Sequence, residues 1–432
     1  MSVADTFNCF LENLAIDNSE TISSRYGELT AALNKTFRDT ESKTANTLRV
    51  GSFGRNTGIK GISDLDMLYI MPRSKWNDYK DSKQLRLLQD VKAAILRRYP
   101  NTRVRVDRLV VTVTYTNFHV EVQPVFEQED GSFKYPDTKN NGNWKLTKPR
   151  EEMIAIAQLD AVKNSNLRRL CRMTRAWRNH HGVAMGGLLI DTLAFNFLNA
   201  TNDYDNKSFL YYDELNRDFF LYLSQLPTQD RYSAPGSNQH VKVKRPFQRK
   251  ARKAHQLCLN AIDAEGQDGA NNKWKKVFGR PFPTAKSTKA ITTSESEAIW
   301  DNTEEFVEDK FPIDIRHTLK IDCDVSQNGF REHRLLEMIQ KRIPLLAKKN
   351  LQFEVTDIDV PGEYSILWKV LNRGDEARRR NMVRGQIVPD EGNQRKKEPT
   401  SFKGDHIVEC YAIKDGVIVA KDRIHVPIGT NG

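Results

Sequence analysis

The spacing of apolar and polar positions changes character twice along the chain. Over the first fifty residues, Phe7, Phe10, Leu11 and Leu14, then Ile22, Tyr26, Leu29, Leu33 and Phe37 recur every three or four residues, the period of helices with one buried face. The period then shortens. Residues 65–72 read as a strand, 84–99 as an amphipathic helix, 103–115 as a strand of alternating valines and polar residues, and 118–126 as a further strand after a turn at Asn117. Helical spacing returns in 153–162, 167–181, 187–200, 211–223 and 249–265. Past Phe311 the chain turns to short β-type runs, 319–325, 351–360, 363–371, 406–413 and 417–426, separated by Pro-Gly, Arg-Gly-Asp and Asp-Gly turns.

This order predicts an α+β fold. Residues 1–160 form a catalytic core in which helices flank a mixed sheet, and 161–280 form a helical lobe of the same catalytic unit. Between Thr284 and Glu297 seven of fourteen residues are Ser or Thr, with Pro281 and Pro283 just ahead, so 281–310 is expected to be a linker. Residues 311–432 are then a β-rich domain, a small sandwich of roughly a hundred residues.

Composition narrows the class of protein. With 38% hydrophobic and 28% charged residues among 432, the chain is ordinary soluble, globular material. Its most apolar stretch, 184–198, is too short to span a bilayer and is interrupted by Asp191. No membrane partner is expected. Five widely spaced cysteines form neither a disulfide framework nor a zinc knuckle, which points to a reduced, cytoplasmic setting. The formal charge of +11 calls for an anionic partner.

The chemistry concentrates in Gly51-Ser52-Phe53-Gly54-Arg55-Asn56-Thr57 and, a few residues on, Asp64-Leu65-Asp66. In a strand, residues two apart share a face, so the two carboxylates would stand together while Leu65 and Met67 pack inward. Paired carboxylates repel unless a hard divalent cation sits between them, and Mg²⁺ completes its shell with phosphate and water. A two-ion phosphoryl-transfer site, with Mn²⁺ as a substitute, wants a third acid. Glu121, on the predicted neighbouring strand and sharing a face with His119 and Gln123, supplies it. Gly51 allows close backbone approach, and exposed amides with the Ser52 hydroxyl would hold a triphosphate.

The run GSFGRNTGIKGISDLDMLYI resembles the signature of polymerase-β-like nucleotidyltransferases. With HVEVQPVF, Lys134-Tyr135-Pro136-Asp137 and Trp144, it is most similar to the bacterial cGAS/DncV-like enzymes (the SMODS type). That resemblance implies a polymerase-β-like core that joins nucleoside triphosphates into cyclic di- or trinucleotides with loss of pyrophosphate, as messengers to an effector in antiphage defence. It assigns metal binding and catalysis to Asp64, Asp66 and Glu121, where many relatives have Asp in place of Glu121. It assigns phosphate binding to Gly51, Ser52 and, in place of a family Lys, Arg175, whose guanidinium grips phosphate differently from an ammonium. Arg55 and Lys60 stand close by, as substrate contacts or plain surface. Residues 319–428 resemble the adenylyl/guanylyl and SMODS C-terminal sensor domain (AGS-C); there Trp368, Arg384 and His406 are candidates for a ligand surface, with Trp368 better placed in the core. Some relatives are conjugated through a terminal residue, which makes Gly432 a candidate conjugation or regulatory site beside a simple frayed end.

The reading is thus a Mg²⁺-dependent cyclic oligonucleotide synthase, with ATP or GTP favoured by the resemblance. Two rivals stay open: an RNA-responsive synthase of linear oligonucleotides, and a non-catalytic nucleotide- or RNA-binding sensor. Thirteen cations fall in two acid-free runs, 163–178 and 242–253. They exceed the net charge, and one run is expected to face triphosphate. Nucleic acid is therefore a partner the sequence admits without favouring.

Overall fold

The structure, a computed structural model, describes residues 2–61, 64–267, 269–284, 304–327, 330–373, 375–380, 382–400 and 403–429. The chain divides into two compact units, Met1–Ala290 and Ile291–Gly432. The Ser/Thr-rich stretch expected as a linker lies, beyond Thr284, outside the described residues, as does Gly432.

The first unit opens with α1 (Val3–Asn13), started by a capping box in which Ser2 and Asp5 satisfy each other's backbone amides, and α2 (Ser19–Arg38). Then come β1 (Thr47–Arg49), the single-turn α3 (Gly51–Gly54), β2 (Asp64–Ile70), a short α4 (Trp76–Tyr79) and α5 (Gln84–Arg98). Strands β3 (Arg103–Val106), β4 (Val111–Thr114), β5 (His119–Glu127), β6 (Phe133–Asp137) and β7 (Asn143–Thr147) follow. They form one sheet in the order β1-β2-β5-β4-β3, with β6 joining β5 to β7. Only β2 and β5 run parallel, the other pairs being antiparallel. The single strand expected over 103–115 is instead a hairpin: the Asp107 amide donates to the Val110 carbonyl at 2.9 Å, and the valines on either side then pair with one another. Apolar side chains of α2, α5 and the sheet, among them Leu29, Leu33, Leu65, Met67, Val91, Val120 and Val122, make one core.

The helical lobe comprises α6 (Pro149–Val162), α7 (Asn166–His181), α8 (Gly187–Asn199), α9 (Tyr212–Gln225), the hairpin β8 (Arg231–Ser233) and β9 (His240–Lys242), α10 (Gln248–Ile262) and α11 (Ala270–Phe278). Its core collects Trp177, Leu189, Leu193, Phe219 and Phe220 with Phe7 and Phe10 of α1. The amino-terminal helix therefore belongs to this lobe's packing, a long-range contact the local period does not reveal.

In the second unit, α12 (Val307–Lys310), β10 (Leu319–Gln327), β11 (Phe330–Arg334) and α13 (Leu335–Gln340) lead to β12 (Asn350–Ile358), β13 (Ser365–Leu371) and α14 (Asp375–Arg379). Strands β14 (Arg384–Pro389), β15 (Arg395–Pro399), β16 (Gly404–Lys414) and β17 (Val417–Ile428) complete it. Two four-stranded antiparallel sheets result, β11-β10-β12-β15 and β14-β13-β16-β17. Alternate residues of β10 are buried, as in a sandwich strand. Trp368 is fully buried in this core, its indole N–H donating to Asp390 at 2.8 Å. Among the described residues no helix is long and apolar enough to cross a membrane.

Candidate active site

The parallel pairing of β2 and β5 sets Asp64 opposite His119 and Asp66 opposite Glu121. Leu65 and Met67 are fully buried beneath them. Asp64, Asp66, Glu121 and Gln123 consequently line one open cleft of about 810 Å³, whose wall also carries Gly51, Ser52, Arg55, Arg175 and Arg178.

Gly51 is required where it stands. Its φ is +66°, and a Cβ there would lie 1.8 Å from Asp66 Oδ2. The Val50 amide donates to the Asp66 carbonyl at 3.1 Å, tying the Gly-Ser turn to β2. Beyond the turn, the Thr57 and Gly58 amides both donate to the Ser52 carbonyl, so Ser52 is held with its side chain half-buried on the cleft.

The electrostatics of the carboxylates are those of crowded, partly desolvated acids. Burial pushes the Asp66 carboxyl above its usual range, with Arg55 opposing and Asp64 adding to the rise. Glu121 is raised by burial and then by Asp66 and Asp64. Both shifts come first from desolvation and then from the neighbouring acids, so a bound cation would lower both. His119 Nε2 lies 2.8 Å from Asp64 Oδ1 and holds that carboxylate to one side. Among the described residues no three His, Cys, Asp or Glu side chains are already gathered around one point. The donor chemistry nonetheless fits a hard divalent cation: three carboxylates on adjacent in-register strands, whose mutual repulsion such an ion would relieve. Asp64, Asp66 and Glu121 would hold it.

Arg175, the expected phosphate contact, is on the cleft wall and is also engaged within the fold. It is 3% exposed, pairs with Asp191 of α8 at 2.6 Å (Nη1 to Oδ1), and donates to the carbonyls of Cys171 and Gly187. A buried carboxylate within reach claims a guanidinium before any solvent-borne phosphate does. Arg55 binds the other side of Asp191, Nε to Oδ2 at 2.9 Å, and Thr57 donates to the same oxygen at 3.0 Å. Arg55 also faces Glu152 at 3.5 Å, and Glu152 accepts from Ser237. Burial alone would raise Asp191, but Arg175 and Arg55 together bring it down to about 2. This buried network fastens the Gly-Ser turn to α7 and α8 at the floor of the cleft.

The sequence reading missed Asp191 as a functional group, although it is the one charged residue of an otherwise apolar helix, which is the signal that was available. It also passed over Arg178, one turn beyond Arg175. Arg178 lines the cleft, its guanidinium donates to Asn179, and burial followed by the neighbouring Arg175 lowers its proton affinity. Lys60 makes a surface pair with Asp17. The rest of the 163–178 run is largely spoken for: Lys163 is buried on Asp205 at 2.6 Å, Arg168 lies 3.5 Å from Asp160, and Arg172 donates to the Asn56 carbonyl. Much of this run is therefore engaged within the fold, while Arg175 and Arg178 line the cleft wall.

Paired carboxylates on neighbouring strands, a Gly-Ser helical turn and a facing helical lobe define a nucleotidyltransferase of the polymerase-β-like type. Residues 1–160 match the family model of the Second Messenger Oligonucleotide or Dinucleotide Synthetase (SMODS) domain, and 301–429 that of the Adenylyl/Guanylyl and SMODS C-terminal sensor domain. The chain is 22% identical over 291 residues to a cyclic AMP-AMP-AMP synthase of Acinetobacter sp., spanning 63% of this chain and 82% of that one. In fold it is similar to a chain of the E. coli MS115-1 CdnC:HORMA-deltaN complex, at a TM-score of 0.52 and 16% identity over 65% of this chain and 98% of that one. The protein belongs to the SMODS-type cGAS/DncV-like nucleotidyltransferases that carry a C-terminal AGS-C sensor domain.

Proposed function

We propose that the protein condenses nucleoside triphosphates, ATP or GTP, into a cyclic di- or trinucleotide that signals to a downstream effector in antiphage defence. The observation that carries this reading is the in-register placement of Asp66 against Glu121, with Asp64 beside them and the Gly-Ser turn against Asp66. The 2′- or 3′-hydroxyl of one nucleotide attacks the α-phosphorus of another. An O–P bond forms, the bond to pyrophosphate breaks and the hydroxyl proton is released; a later round within the same product closes the ring. Two Mg²⁺ ions, or Mn²⁺, when bound on the three carboxylates supply charge neutralisation at the reacting phosphate. The chain's own contribution is position. Gly51 and Ser52 admit phosphate to the Asp66 edge, Arg178 reaches into the cleft, and the Arg55–Asp191–Arg175 network fixes the wall.

Incubation with the four labelled triphosphates and Mg²⁺ or Mn²⁺, beside the Asp64→Ala/Asp66→Ala protein, tests the reading. A phosphatase-resistant product made only by the unaltered chain is expected. Phosphatase-sensitive oligomers would replace it with linear synthesis, and absence of any product would remove the enzyme assignment from this cleft.

A further inference from the structure

The three carboxylates of the cleft are held unequally. Asp66 is half-buried against the Gly51 turn, and Glu121 stands mid-strand between Val120 and Val122, both fully buried. Asp64 is the first residue of β2, and its side chain is 57% exposed. A carboxylate at an exposed strand end has several rotamers open to it, and the freedom it gives up when it takes an ion is set against the binding. His119 meets this need. It opens β5 in parallel register with Asp64, and on its other side it pairs with Thr114 of β4. The buried side chains of Phe118 and Val120 fix its backbone from either side. From there Nε2 reaches Asp64 Oδ1 at 2.8 Å. An ionised carboxylate only accepts, so the hydrogen is on Nε2, where the imidazolium and one neutral tautomer both carry it. The contact therefore needs no particular charge on the ring.

We propose that His119 is a positioning residue for the divalent ion: by holding Asp64 at Oδ1 it fixes the most exposed of the three carboxylates in one orientation before the ion arrives, and so raises the affinity for it. The inference rests on the cation site proposed above. A carboxylate gripped at Oδ1 can still ligate through Oδ2. The ring itself is a poor ligand for Mg²⁺, which prefers oxygen, so its contribution runs through Asp64. Groups that orient a metal's ligands are typically worth about 10–100-fold in affinity. A contact between partly exposed groups, as this one is, belongs at the lower end of that range.

Mn²⁺ binding to the nucleotide-free full chain is read from the electron paramagnetic resonance of the free ion, at a single pH. The proteins compared are the parent, His119→Ala, His119→Gln, His119→Asn and Thr114→Ala, with Asp64→Ala/Asp66→Ala giving the binding left without the site. Gln carries an N–H about as far along the side chain as Nε2, whereas that of Asn falls nearer Nδ1. Expected is a dissociation constant raised about tenfold in His119→Ala and His119→Asn, but within about threefold of the parent in His119→Gln and about twofold in Thr114→Ala. The Mg²⁺ concentration for half-maximal turnover should rise in the same order, while KM for triphosphate at saturating Mg²⁺ moves by no more than about twofold. Melts in chelator show each variant folded. Equal or tighter ion binding by His119→Ala, an equal loss in Thr114→Ala, or a loss in His119→Gln as large as in His119→Ala would overturn the proposal and leave the cation site standing. Binding by the parent no stronger than by Asp64→Ala/Asp66→Ala would remove the site itself, and this inference with it.

Discussion

The Asp66 carboxylate occupies the space that a side chain on Gly51 would need: a Cβ there would sit 1.8 Å from Asp66 Oδ2. Gly51→Ala therefore does two things at once. It strains a backbone held at φ +66°, at a cost of about 1–2 kcal/mol, and it pushes the Asp66 carboxylate away from its place beside Glu121. Pyrophosphate release should fall at least about a hundredfold, as misplacement of a reacting group does, while Tm drops by only about 2–6 °C.

What was legible in the sequence depended on whether the determining contact was local. The shared face of Asp64 and Asp66 follows from strand alternation alone, and Leu65 and Met67 lie buried between and below them as that alternation requires. Glu121 was legible as a strand residue, but its position opposite Asp66 is a product of parallel pairing across fifty-five residues. The pairing of Arg175 with Asp191 was not legible, because that partner sits on the next helix, beyond any local period. Strands β14 and β15 escaped notice for another reason. Arg395–Pro399 is Arg-Lys-Lys-Glu-Pro, an edge strand with mostly solvent-facing side chains whose pairing with β12 supplies what its composition does not. The loop at 107–110 shows the converse, a turn hidden inside a run of β-formers.

Arg175 and Arg178 are one helical turn apart and should fail differently. Arg175 is locked on Asp191 in a fully buried pair, and breaking such a pair from one side costs about 3–5 kcal/mol. Asp191→Asn, which removes the one carboxylate that pairs with Arg175 and leaves Arg55 only Glu152, should lower Tm sharply and reduce activity through loss of folded protein. Arg178 donates only to Asn179 and faces the cleft. Arg178→Ala should leave Tm within about 2 °C while raising KM for triphosphate about tenfold, the loss of one charge-assisted hydrogen bond. Steady-state kinetics beside thermal melts separate the two; a thermally intact but inactive Asp191→Asn protein would contradict the assignment.

The five cysteines, Cys9, Cys171, Cys258, Cys323 and Cys410, are all buried and free. Burial raises each thiol, and the Asp191 carboxylate beside Cys171 adds to the effect there. Thiolate is the reactive form. The folded chain should react with a chromogenic disulfide at least about a hundredfold more slowly than the urea-unfolded chain, which should titrate five thiols. A fast-reacting native thiol would place one of these residues at a surface the fold does not give it.

Asp66 and Glu121 hold their protons more tightly in the folded chain than in the unfolded one, because burial acts on both and each adds to the other's repulsion. The native state then binds more protons than the unfolded state over the raised range, and stability falls as pH rises through it; below the ordinary carboxyl range the difference disappears. In chelator-treated protein, Tm should therefore decline on going from mildly acidic to neutral pH, with Arg55 softening the effect at Asp66. Glu121→Gln removes one of the repelling charges, so the metal-free variant should melt no lower, and at neutral pH higher, than the parent. Divalent ion should reverse the order. Mg²⁺ or Mn²⁺ added at a hundred times its dissociation constant stabilises a chain that binds it only when folded by about 2.7 kcal/mol, a gain Glu121→Gln should largely forfeit together with at least about a hundredfold of turnover. Melting curves at three pH values, with chelator and with ion, read all of this at once. A parent protein whose Tm neither falls with pH nor rises with the ion would show that these carboxylates are not the cation site.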